Sequence, residues 1–287
     1  MKRVALATSR KYASLTDDDR LLIEPLRGLG IAAEPAVWDD GSVEWKRHDA
    51  IIIRSCWDYH LRLSEFLNWL AGLVRDGVRV FNPPGMVRWN ADKSYLRDLQ
   101  KRGVPIVPTL WPDGRADLRE QMTSLGWNKA VVKPRVSATA HRTELISVED
   151  AHRLQSLVDE LLRGPGAMVQ EFMAAVQTRG EWSLMFFAGE FSHAVVKTPK
   201  AGDFRVQHDF GGLERPASAP DLIRNAARQV VRALADVPLY ARVDGVESGD
   251  RFLLMELELI EPALFFGLAA EASQRFARAV ANRLSFE

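Results

Sequence analysis

Residues 241–266, ARVDGVESGDRFLLMELELIEPALFF, carry the pattern on which the reading of the whole chain depends. Residues 239–243 and 252–259 are rich in strand-forming side chains, and the polar residues 247–250 between them mark a turn. The pattern predicts a β-hairpin. Three acids punctuate it: Asp244 at the end of the first strand, then Glu256 and Glu258 on the second. Side chains two apart on a strand share a face, and antiparallel pairing brings Asp244 towards that face. Leu253, Leu254, Met255, Leu257, Leu259 and Ile260 surround the acids, where unpaired charge is costly. Converging carboxylates call for a hard cation, and Mg²⁺ is the usual one beside phosphates. An exposed acidic face on an edge strand is the competing reading of these residues alone.

The chain around this hairpin has 287 residues, enough for one large core or two to three subdomains. Its 38 basic and 38 acidic residues balance, which argues against nucleic acid or an anionic membrane as partner. Cys56 is the single cysteine, so no internal disulfide forms and a reducing compartment fits. Residues 4–8 are too short an apolar run for a signal-peptide core or a membrane span, and no longer run follows. A cytoplasmic enzyme with a small-molecule substrate is expected, with a homodimer left open.

Strand-like runs at 4–8, 50–53 and 78–81 alternate with helical patterns after Asp17 and over 64–75. Phe66, Leu67, Leu70 and Val74 stand at core-facing spacing on the second of these helices. The alternation predicts an α/β unit with a parallel sheet wound in βαβ steps. Gly28-Leu-Gly30 fits a loose dinucleotide fingerprint but follows a helix, the wrong context. Residues just past strand ends face the ligand crevice in such sheets. That places Arg54, Trp57, Asp58 and Tyr59 as substrate residues, Arg54 for a carboxylate and Asp58 for an amino group. Cys56 reads as a small buried residue and not a thiolate.

Downstream, Asn90 and Lys93, then Gly103-Val-Pro105, then Val132-Lys133-Pro134 follow in order, before the three acids and Glu261-Pro262. The series resembles the ATP-grasp ligases, in particular their glutathione synthetase-like branch. Residues 4–8, 15–19, 54–59, 133–140 and 258–262 further resemble the small group that includes O-ureido-D-serine cyclo-ligase, which forms D-cycloserine. The resemblance implies an ATP-grasp fold with an N-terminal βαβ pre-ATP-grasp domain over 1–85, and central and C-terminal subdomains over 86–166 and 167–287. It implies ATP with Mg²⁺ or Mn²⁺ and a carboxylate–amine ligase that activates a carboxylate or carboxyl-like group as an acyl phosphate and couples it to an amine on a small amino-acid-like substrate, with an intramolecular cyclisation like D-cycloserine formation left open. A peptide or glutathione-type ligase, or a nucleotide-binding module without catalysis, are the alternatives.

By the same resemblance Lys93, Lys133 and Ser137 serve the phosphates, while Gln170, Glu171, Phe172 and Met173 form the adenine hinge. Asp244, Glu256 and Glu258 hold the metal, Arg205 assisted by Lys197 faces the transferred phosphoryl group, and Glu261 joins the substrate residues. Two departures stand out. Glu258 replaces an asparagine usual in the family and adds a negative charge. The loop 135–142, RVSATAHR, lacks the usual glycines, which predicts restricted access to positive φ.

Overall fold

The computed structural model describes residues 1–114, 117–207 and 210–285. The first sheet joins β1 (Lys2–Thr8), β2 (Ile31–Val37), β3 (Ala50–Ile53) and β4 (Val80–Phe81) in the order β2-β1-β3-β4, all parallel. Strand β2 escapes the sequence pattern because Pro35 interrupts it. An edge strand tolerates that loss of a donor, and β2 lies on the edge. The first predicted helix splits into Asp17–Arg20 and Ile23–Gly28. Pro25 has no N–H and its ring excludes the carbonyl four residues back, so the two cannot fuse. On the helix Leu63–Arg75 the buried stripe is Phe66, Leu70 and Leu73, whereas Val74 is half exposed.

The middle sheet comprises β5 (Thr109–Leu110), β6 (Lys129–Pro134), β7 (Glu144–Ser147) and β8 (Ala167–Glu171), antiparallel in the order β5-β8-β6-β7. A division at residue 166 would cut β8 from the sheet in which it pairs with β5 and β6. The third sheet contains β9 (Glu181–Phe187), β10 (Glu190–Thr198), β11 (Leu213–Ala217), β12 (Tyr240–Ser248) and β13 (Arg251–Glu258), in the order β11-β10-β9-β12-β13. The C-terminal helix Ala272–Ser285 buries Phe276, Val280 and Leu284 against Val4, Leu6, Leu22 and Leu26. First and last parts of the chain therefore share a core.

The hairpin β12–β13 is longer than expected, and Asp244 lies in mid-strand. Its register pairs Arg242 with Glu258 and Asp244 with Glu256, then jumps to Gly245 opposite Leu254, leaving Met255 as a bulge. The bulge changes which face is buried: Phe252 and Leu254 enter the core before it, Leu257 and Leu259 after it. Glu256 and Glu258 are thereby turned off the core face. Gly245 is required there, because a Cβ would meet the Phe252 ring at 2.3 Å and the Leu253 carbonyl at 2.5 Å.

Beside the shared core, His193 of β10 lies with Nε2 2.9 Å from the Leu264 carbonyl and Nδ1 2.9 Å from Ser192 Oγ. The carbonyl assigns Nε2 as donor, and Ser192 Oγ, which accepts from Arg275 Nε at 3.0 Å, donates its hydroxyl to Nδ1 when the ring is neutral. Burial, reinforced by Arg275, lowers its pKa from the ordinary 6.5 to about 4. Between those values the unfolded chain binds the proton and the folded chain does not. Stability therefore falls as the pH drops through this window, by about 2 kcal/mol at pH 5 from this group. Urea unfolding at pH 5 and pH 7.5 should show a smaller pH effect for His193→Gln than for the parent.

Candidate active site

A cavity of about 260 Å³ opens between the middle sheet, the third sheet and the loop after β3. Lys93, Lys133, Lys197, Arg205 and Arg242 line it together with Asp244, Glu256, Glu258 and Glu261. The bulged edge of β13 is held in place by side chains. Asn90 donates to the Leu257 carbonyl and accepts from the Leu259 N–H, at 2.8 and 2.9 Å, and the Tyr95 hydroxyl accepts from the Leu257 N–H. Asn90 thus fixes the acidic strand, which gives its place in the motif a physical reason.

Charges on the cavity floor form a chain. Lys197 Nζ lies 2.5 Å from Glu181 and 3.5 Å from Asp244. Arg242 donates through Nε to Asp244 at 3.0 Å, through Nη1 to the Ala263 carbonyl at 3.1 Å, and through Nη2 to Glu258. Lys93 Nζ reaches Ser137 Oγ and Glu256 Oε1, both at 3.1 Å, and the Ser137 carbonyl. Burial pushes the Glu256 and Asp244 carboxyls up, but adjacent cations outweigh it and hold both below their ordinary values. Glu258 differs. Burial, then Asp244 and Glu256, overcome Arg242 and raise its pKa to about 7. Lys133 has no ion pair among the described residues, and burial lowers its pKa.

At the other end, the Glu171 N–H donates to the Pro108 carbonyl and the Phe172 N–H to that of Lys129. Two of the four amides of the expected hinge, those of Glu171 and Phe172, are therefore already bonded to main-chain carbonyls. Met173 follows and lines the cavity. In the loop over the cavity Thr139, Ala140 and Arg142 take positive φ values of 50°, 55° and 53°. The expected restriction is overcome without glycine, at roughly 1 kcal/mol or more per residue.

A family model described as the N-terminal domain of D-cycloserine synthetase DcsG matches residues 4–82. The cycloserine biosynthesis protein DcsG of Streptomyces lavendulae is 33% identical, with 98% of each chain covered. The chain belongs to the DcsG family. The crystal structure of D-cycloserine synthetase DcsG superposes with a TM-score of 0.89 at 31% identity, covering 98% of this chain and 99% of that one. D-alanine–D-alanine ligase from Bacillus anthracis, at 15% identity, covers 99% of this chain and 98% of its own with a TM-score of 0.69, which places the fold among the ATP-grasp ligases. This DcsG-family member is an ATP-dependent ligase that forms a C–N bond. No helix among the described residues is long and apolar enough to cross a membrane.

Against that family background, the expected substrate arginine lies elsewhere. Arg54 is buried, with Nε 2.8 Å from Asp19, Nη2 2.7 Å from the Pro262 carbonyl and its guanidinium over the Tyr240 ring. It turns inward because Asp19 offers an ion pair within the core, and it does not line the cavity. Asp58 also stays outside, bound to Arg62 and the Trp38 indole N–H. Trp57, Tyr59 and Glu261 do line it. Cys56 is fully buried, and burial raises its thiol well above the ordinary range. Arg205 lines the cavity with its guanidinium paired to Asp203 and stacked 3.7 Å over the Phe210 ring. Arg242 and Glu181 are the additions that the structure makes to the charged floor.

Asp244, Glu256 and Glu258 do not form a ready metal cage, and no group of three ligating side chains does so among the described residues. Their donor chemistry still fits Mg²⁺. That ion is commonly held by one or two carboxylates plus phosphate oxygens and water, and Asp244 and Glu256 both act on Glu258, adding to the burial that raises it.

Proposed function

We propose that the chain activates the carboxylate of a small amino-acid-like substrate with ATP and closes it onto a nitrogen of the same molecule, as in D-cycloserine formation. The observation that carries this reading is the cavity itself, where the unpaired Lys133 faces the acid-bearing strand of a DcsG-family fold. The substrate carboxylate attacks the γ-phosphorus, the bond to ADP breaks, and an acyl phosphate results. The nitrogen then attacks the acyl carbon, phosphate leaves, and the nitrogen's proton passes to phosphate or water. With O-ureido-D-serine the ring nitrogen still carries its carbamoyl group, and water cleaves that N–C bond to give D-cycloserine and carbamate, which breaks down to ammonia and carbon dioxide. Lys93 and Lys133 hold phosphate oxygens as compact charges, and Arg205 leaves Asp203 for the transferred group. Asp244, Glu256 and Glu258 would hold Mg²⁺, or Mn²⁺ with the same oxygen donors. Bound there, the ion neutralises charge on the phosphates. Met173 meets the adenine edge, and the loop 135–142 covers the phosphates.

The test is ADP and phosphate release with Mg²⁺ and O-ureido-D-serine, with D-cycloserine sought by mass spectrometry. Turnover that needs a separate amine would overturn the intramolecular reading. Lys133→Met keeps most of the apolar stem, so stability should change little. ATP affinity should fall about ten- to hundred-fold with the loss of one charge-assisted contact. Calorimetry showing wild-type affinity would remove Lys133 from the phosphate site.

A further inference from the structure

Each acid on the charged floor has a cation against it: Glu181 has Lys197, Asp244 has Arg242 and Lys197, Glu256 has Lys93, and Glu258 has Arg242. Glu261 does not. Its residue is 7% exposed, it lines the cavity, and its carboxyl oxygens have neither a hydrogen bond nor an ion pair among the described residues. The main chain around it is fastened. Trp57 Nε1 donates to the Glu261 carbonyl at 2.9 Å, and Arg54 to the Pro262 carbonyl at 2.7 Å. The side chain is therefore presented from a fixed backbone.

Its surroundings are aromatic. Trp57, Tyr59 and Phe265 line the same cavity, and after burial the Glu261 carboxylate is the strongest influence raising the Tyr59 hydroxyl. Burial, with Glu258 adding to it, raises Glu261 well above the ordinary carboxyl range. Lys93 and Arg242 act on it through space without bonding it, so a carboxylate in a cavity that these rings also line lacks one component, a directly bound compact organic cation. The aromatic faces attract such a cation through their quadrupoles, and the carboxylate supplies a charge-assisted bond.

We infer that Glu261, backed by Trp57 and Tyr59, is the subsite for the substrate's α-ammonium group, so that the enzyme selects amino acids over ammonium-free acids of the same shape. The inference rests on the small amino-acid reading above and names the group that reading leaves unassigned. It also places substrate recognition on the segment after β13, where Arg54 acts as a positioning residue.

The experiment compares O-ureido-D-serine with its analogue bearing hydrogen in place of the amino group, using calorimetry on the wild type and Glu261→Gln, both in ADP and Mg²⁺. The wild type should prefer the parent compound by about ten- to hundred-fold, and the variant should lose that preference while ADP affinity and thermal midpoint stay unchanged. A variant that keeps the preference overturns the subsite. So does one whose defect is an altered Mg²⁺ requirement, since Glu261 is then a metal ligand. If the wild type binds the parent and turns it over, either result leaves the ligase reading standing. If the wild type neither binds nor turns over the parent, the amino-acid reading fails, and this subsite with it.

Discussion

Glu256→Gln combined with Glu258→Gln should abolish Mg²⁺-dependent ADP release, by about a thousand-fold or more, while the protein stays folded. The size follows from the metal's share in charge stabilisation, several kcal/mol for a phosphoryl group in flight. The survival of the fold follows from the partners left behind. Lys93 loses Glu256 but keeps both oxygens of Ser137. Arg242 loses Glu258 but keeps Asp244 and the Ala263 carbonyl. Neither cation is stranded, and the repulsion that Asp244 and Glu256 add to the burial raising Glu258 disappears. Glutamine retains the shape of each side chain and its hydrogen-bonding carbonyl. ADP release with varied Mg²⁺ measures the first claim, and thermal unfolding the second. Undiminished turnover would remove the metal from this strand. A collapsed midpoint would mean that the acids serve mainly to neutralise the lysine and arginine.

The acids were legible because period-two alternation and charge among apolar neighbours are local signals. The same rule, applied one strand earlier, places Arg242 two residues from Asp244 and on its face, so this arginine was within reach of sequence reasoning. Glu181 was not, because its partner Lys197 lies on the next strand and the pairing register decides whether they meet. Arg54 failed for a related reason: a strand-end arginine can face a crevice or a buried acid, and the choice depends on Asp19, which is 35 positions away. The bulge at Met255 left a trace in the adjacent Leu253 and Leu254, which break the alternation just before Glu256. The glycine-poor loop shows the limit of propensity. Positive φ at Thr139 and Ala140 costs little beside the contacts of a packed domain.

Arg242 also accounts for the family departure at Glu258. An asparagine there would be neutral, whereas the glutamate adds a charge on the cavity floor, and Arg242 bonds it directly across the strand pair. Arg242→Met should therefore destabilise the metal-free protein by about 3–5 kcal/mol, since removing one member of a buried ionic network leaves the other charges uncompensated. Methionine fills most of the volume, so a packing defect contributes little. The remaining cations cannot take over. Lys197 is already shared between Glu181 and Asp244, and Lys93 is committed to Glu256 and Ser137. The cause can be isolated with Glu258→Gln in the Arg242→Met background. If stranded charge is the defect, the second substitution recovers part of the loss, and the two effects are non-additive in a double-mutant cycle. Urea unfolding of the four proteins in chelator reads this out. Additive losses would assign Arg242 to packing and to its bond with the Ala263 carbonyl, and would leave the extra charge of Glu258 unbalanced by it.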